Sequence, residues 1–506
     1  MQSPIAFHPC SNGEYCPPPK SARDRSAEEL FARIADDKSR RLGITRRQFA
    51  ESARGMAAAL FVINQVYGCS DDGGGGGASD ARDGGPGSAG AGASAGAGTS
   101  AGAGAGRGGA GAGGRDGGAG FDVNDAMMDD EELACDVLLD QSDFVLDVQT
   151  HPPNPLPEAW TARELPMDAE EFISTLFVDS ETSVAVLSGI PSVRDFGLPN
   201  VQANALLKDI LDMAGPRLFF HANVDPNNGS SELDYMESVL ADYTPAAWKV
   251  YPHVGAWRLD SQEVGLPFVE KARALGIPLI AAHRGIASDA GDYAAPSSPV
   301  DLVQAARQYP DVVFLTYHSG WQQNVDENHP FDPNNANPAG VDRLIKAVID
   351  NEIGNDGNVY AELGSTWRNL MTSPDAAAHV LGKLLRYLGP DRVVWGTDSV
   401  FTGSPQEQIA ALRAFQIPES MQTDYGYPAL TDDIKRKIFG LTASSVYGID
   451  PASMRCVIDA DFIARQRQAY LHDRDAVPVR REKSYGPRTR REFLALRRFE
   501  HYFKLG

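Results

Sequence analysis

The chain has 506 residues and a formal net charge of −22. It is long enough for a large core, and too acidic for nucleic acid to be its main partner, because phosphate recognition needs clustered Lys and Arg. The five cysteines (Cys10, Cys16, Cys69, Cys135, Cys456) are too few and too scattered for a disulfide framework, and no run of about 20 apolar residues offers a membrane span.

Charge divides the chain before any element does. Residues 1–69 carry a net +3 and residues 480–506 a net +6, leaving −31 for the middle. Residues 1–43 form an N-terminal extension. Residues 44–70 have the anatomy of an export signal: Thr45-Arg46-Arg47-Gln48-Phe49, a short apolar run from Met56 to Val66, then Gly68-Cys69. Twin arginines resemble the Tat address used for folded cargo, and Cys69 resembles a lipid-attachment cysteine. The motif is weak alone, since Thr489–Phe493 repeats it as TRREF where no apolar run follows. Residues 71–120 hold 23 glycines among Ala, Ser and Asp. With almost no apolar surface to bury, they are expected to stay disordered and to act as a tether of roughly 40 Å. These features predict a periplasmic or membrane-anchored protein, touching the membrane only through Cys69, with a cytoplasmic location as the alternative.

From about residue 140 short apolar, β-branched runs alternate with helical patterns. The predicted strands are 144–148, 183–189, 217–224, 246–251, 277–283, 312–318, 358–363 and 392–398. Helical stretches such as 266–276, 299–310 and 378–389 separate them. Buried strands alternating with helices mean parallel βαβ units, and eight units suit an α/β fold, a (β/α)8 TIM barrel, over residues 121–455. Residues 456–506 are a basic, partly helical C-terminal extension.

Polar residues stand at the C-terminal ends of these strands: Gln149 and His151, Lys249, His283, His318, Glu362, Asp398. In a barrel those ends converge on one face, where active sites form. Each residue also has a structural explanation: a strand-end His can be a hydrogen-bonded core group, and Asp398 after Thr397 can cap a helix. Three histidines and an aspartate on one rim point instead to chemistry.

In this order the residues resemble the amidohydrolase superfamily, in its branch similar to aminocarboxymuconate-semialdehyde decarboxylase. The likeness covers roughly residues 140–450 and includes HSG at 318–320, WGTD at 395–398 and the closing stretch 431–450. It implies one divalent metal, Zn or Mn, held by His151, His283 and Asp398, with Gln149 where the family has a fourth ligand. It implies that His318 is the catalytic histidine, working with Asp398 beside a metal-bound water. Chemistry agrees, because imidazole and carboxylate suit these ions and His titrates in the useful range.

Gln149 keeps the shape of Glu and offers a neutral oxygen, so it is either a weak ligand or a hydrogen-bonding neighbour. Lys249, Arg284, Trp321 and Arg368 are the candidate substrate contacts, suited to a small carboxylated or aromatic molecule. Hydrolysis and decarboxylation both fit. The alternative is an exported binding protein on a degenerate barrel. A homodimer is an assembly the sequence allows.

Overall fold

In the computed structural model, residues 3–8, 10–68, 119–139, 142–151, 168–189, 205–286, 297–474, 477 and 486–495 are described. The Gly-rich stretch from 71 to 118 and Cys69 lie outside them. Eight parallel strands run in sequence order around one sheet: β1 Val145–Thr150, β2 Thr182–Leu187, β3 Leu218–Asn223, β4 Ala247–Val250, β5 Leu279–His283, β6 Val313–Tyr317, β7 Val359–Glu362 and β8 Val393–Val394. All eight coincide with predicted strands. The ring closes where the chain beyond β8 meets β1: the Val148 N–H donates to Trp395 O, the Asp398 N–H to Gln149 O, and Thr150 bridges Ser399 in parallel.

The fold follows from the sequence pattern. Every residue of β1, β2, β4 and β5 is buried, as strands covered by helices on one side and filled by side chains on the other must be. Helices Gly265–Ala274, Val300–Gln308 and Pro374–Tyr387 fall on the three helical stretches read from the sequence. The closing helix fits against β1 at Gly440, where a Cβ would stand 1.9 Å from Phe144 O.

The front of the chain differs from a leader standing ahead of the body. Three helices, α1 Ala22–Leu42, α2 Arg46–Ala50 and α3 Ala53–Val66, join the same apolar cluster as the barrel helices. In α3, Ala57, Ala58, Ala59, Leu60, Val62 and Ile63 are fully buried. The Asn64 amide exchanges two hydrogen bonds with the backbone of Phe121, and Lys38 pairs with Asp125 and Asp129. The apolar run of the signal-like segment is thus core, and the folded body begins well before residue 121. No helix among the described residues is long and apolar enough to cross a membrane.

Candidate active site

β1 delivers the first two groups. Pairing with β2 shifts register between Asp147 and Thr150, and just there Gln149 and His151 face the barrel mouth. His151 turns its Nδ1 to Ser188 O at 3.0 Å, which directs its Nε2 lone pair into the site. That Nε2 lies 3.4 Å from Asp398 Oδ1. Burial, above all, lowers its pKa, so the ring is held neutral.

Gln149 sits at the crossing point. Its amide nitrogen is 3.2 Å from Asp398 Oδ1, 3.3 Å from His151 Nε2 and 3.4 Å from His318 Nε2, while its oxygen has no hydrogen-bond partner among the described residues. A half-turn of the amide would present that oxygen to the same pocket.

His318 follows β6 with φ +66°, and its Nδ1 lies 2.6 Å from Gly364 O. A carbonyl only accepts, so Nδ1 carries the hydrogen and Nε2 is the free base. Ser319, Ser365 and Asp398 share the left-handed backbone region. Non-glycine residues held there at strand ends are positions where a fold stores strain for a site. Asp398 Oδ2 accepts from Ser365 Oγ at 2.5 Å. Beneath, Glu362 takes the backbone N–H groups of His318 and Gly364, yet burial still raises its pKa to about 8. Gly396 leaves it room, since a Cβ there would overlap Glu362 Oε1.

Lys249 is fully buried. Its Nζ stands 3.2 Å from the Tyr317 ring centroid and 4.9 Å from that of Tyr251, with no hydrogen-bond partner among the described residues. Desolvation lowers its pKa to about 7. Arg284 is committed elsewhere: it donates to Asp301 at 2.9 Å and to His283 O at 3.0 Å. Arg368 donates to Ala6 O and pairs with Glu407. Trp321 is buried, with its backbone bonded to His318 and Ile286. Of the four candidate substrate contacts, Lys249 is the one whose whole charged head lies without a hydrogen-bond partner among the described residues, although Arg368 Nε and Nη1 also lack one there.

Three participants escaped the sequence reading. Asn12 donates to Asp398 Oδ2 at 2.9 Å, and Glu14 Oε1 lies 2.8 Å from His283 Nε2. They reach the site from the N-terminal extension, and nothing in their local sequence announces it. His253 follows β4 by three residues and has its ring 4.2 Å from that of His283; the strand-end pattern could have found it.

Two neutral imidazole faces, a carboxylate and orphaned buried atoms on His283 and Gln149 fit a divalent cation. The donors do not gather as expected. Among the described residues, the group whose ligand atoms all lie within 4.8 Å of one another is Glu14, His253 and His283; His151, His283 and Asp398 do not form one.

An amidohydrolase family model matches residues 146–449, more than half of the chain. Among solved structures, 5-carboxyvanillate decarboxylase from Novosphingobium aromaticivorans, complexed with manganese and a nitrobenzoic acid, shares 12% identity over 61% of this chain and 97% of that one, TM-score 0.39. 2,6-Dihydroxybenzoate decarboxylase from Rhizobium shares 14% over 60% and 98%, TM-score 0.38. A probable 2-pyrone-4,6-dicarboxylic acid hydrolase from Acinetobacter baumannii with citric acid bound shares 15% over 60% and 99%, TM-score 0.39. At TM-scores below 0.5 these likenesses carry no functional weight. No curated protein matches.

Proposed function

The chain belongs to the amidohydrolase family, and from that premise we propose a metal-dependent enzyme that decarboxylates or hydrolyses a small carboxylated, aromatic molecule. The observation that carries the substrate class is Lys249. A buried ammonium with no acceptor among the described residues is unfavourable unless an anion arrives to meet it. Tyr317 and Tyr251 flank it with ring faces suited to a planar molecule.

The residues divide the work. Lys249 holds the substrate carboxylate. His318, fixed by Gly364 O, presents Nε2 and moves the proton at the reacting atom. Asp398 is pinned by Ser365 and Asn12, so its remaining oxygen stays aimed at the centre. A bound Zn or Mn would supply an acidified water and polarise the substrate's oxygens. Burial of the centre excludes bulk water and strengthens each of these interactions.

The test is elemental analysis of purified protein, then turnover of carboxylated aromatics and lactones by wild type and His318→Asn. The variant should lose roughly two to four orders of magnitude in rate while keeping its metal. Wild-type protein that binds such carboxylates without metal and without turnover would favour the binding-protein alternative.

A further inference from the structure

The N-terminal arm is built into the barrel mouth. Ile5, Phe7, Ser11 and Tyr15 are buried. Arg368 donates to Ala6 O, Cys10 Sγ to Phe401 O, and Tyr15 Oη to Asn369 Oδ1. From the other side the Ser11 N–H donates to Pro487 O, so the C-terminal tail roofs the arm. Between these anchors the chain turns at Gly13, with φ +99°. The Gly13 N–H bonds Ser11 Oγ and the Glu14 N–H bonds Asn12 Oδ1. That turn delivers two side chains inward. Asn12 Nδ2 bridges Glu14 Oε2 at 2.8 Å and Asp398 Oδ2 at 2.9 Å.

Opposite them, His283 is almost fully buried, and among the described residues neither of its ring nitrogens has a hydrogen-bond partner, nor does His253 Nδ1. Glu14 Oε1 lies 2.8 Å from His283 Nε2 without the alignment of a hydrogen bond. Buried imidazole nitrogens are normally satisfied. Lone pairs left unused beside a carboxylate are what a cation site looks like.

We propose that Glu14 ligates the divalent cation together with His283 and His253, making the N-terminal arm a structural part of the metal centre. This rests on the reading of the chain as a metal-dependent enzyme. Oxygen and imidazole donors of this kind suit Zn or Mn. The anchors at Ala6, Cys10, Ser11 and Tyr15 hold the ligand in place, which a removable plug would not require.

The experiment titrates metal-free, full-length protein with Mn²⁺ and Zn²⁺ against a competing chelator, and records the visible spectrum of the Co²⁺ form. The proteins are wild type, Glu14→Gln, His253→Asn and His151→Asn, with thermal melts as a folding control. Glu14→Gln keeps the shape of the side chain and removes only its charge. It and His253→Asn should each weaken binding at least tenfold and alter the Co²⁺ bands. A Glu14→His variant, which restores a donor, should recover part of the affinity. Wild-type affinity and an unchanged spectrum in Glu14→Gln and His253→Asn would overturn the proposal; if His151→Asn alone then loses metal, the function proposed above stands without the arm. A wild-type protein that takes up no cation overturns both.

Discussion

Under the proposed function, Lys249 would set both specificity and pH response. Its folded-state pKa of about 7, lowered first by burial, makes it charged below that value and neutral above it. Affinity for a substrate carboxylate should therefore fall as pH rises through 7, with the midpoint moved upward when the anion is bound. Calorimetric titration with a benzoate-type ligand checks this. Lys249→Met should bind about ten- to a hundredfold more weakly at pH 6, the worth of a charge-assisted hydrogen bond, and should show no dependence on pH near 7. An unchanged profile would remove Lys249 from the substrate site. Arg284 and Arg368, equally basic on paper, differ because Asp301 and Glu407 already neutralise them. Sequence shows which residues carry charge; it does not show which charges are already spent.

At the scale of elements, β1 and the closing helix test how tightly the barrel is packed. Gly440→Ala would drive a methyl group into Phe144 O, a backbone atom that cannot swing away. The substitution should destabilise the protein by about 1–3 kcal/mol, read as a lowered urea midpoint. Helix Pro374–Tyr387 carries a different sensor. His379, buried and bonded to Tyr427 Oη, has its pKa lowered to about 4 by desolvation and by Lys383. The unfolded chain protonates near 6.5, before the folded one does. The stabilisation is thus complete above pH 6.5 and is lost as pH falls through 4. His379→Gln should flatten that part of the wild-type stability curve, and equal slopes for the two proteins between pH 6.5 and 4 would refute the assignment.

Those elements also show what was legible. All eight strands could be read because burial writes short, nearly continuous apolar runs, and their ends marked Gln149, His151, His283, His318 and Asp398. Glu14 and Asn12 could not be read. Asn12 and Asp398 are 386 positions apart, and no periodicity connects an irregular arm to the rim it meets. Residues 53–66 could be read only as apolar, for a related reason: a core helix and an export run share that composition, and packing adds that this segment is core here.

For the whole molecule, burial of α3 against Phe121 and the helices that follow makes the front of the chain part of the fold. A shortened protein starting at residue 121 should aggregate, or melt well below the full-length chain, because it exposes the apolar face that α3 covers. Equal melting temperatures and equal metal content in the shortened and full-length proteins would contradict this. Export by the twin-arginine route remains a proposal, and the packing limits its form: cleavage at Cys69 would leave Glu14, α1, α2 and α3 without a covalent link to the barrel.

The contact between Ser11 and Pro487 has a consequence for biosynthesis. A ribosome makes the arm before the barrel strands and its cover at Pro487 after them, so a nascent chain can hold the strands while the arm still lacks that cover. That contact can close only after Pro487 has left the exit tunnel. A chain stalled before that point would carry the strand-end histidines without the cover over the arm, and under the proposal above its metal affinity would rise only once Pro487 had emerged.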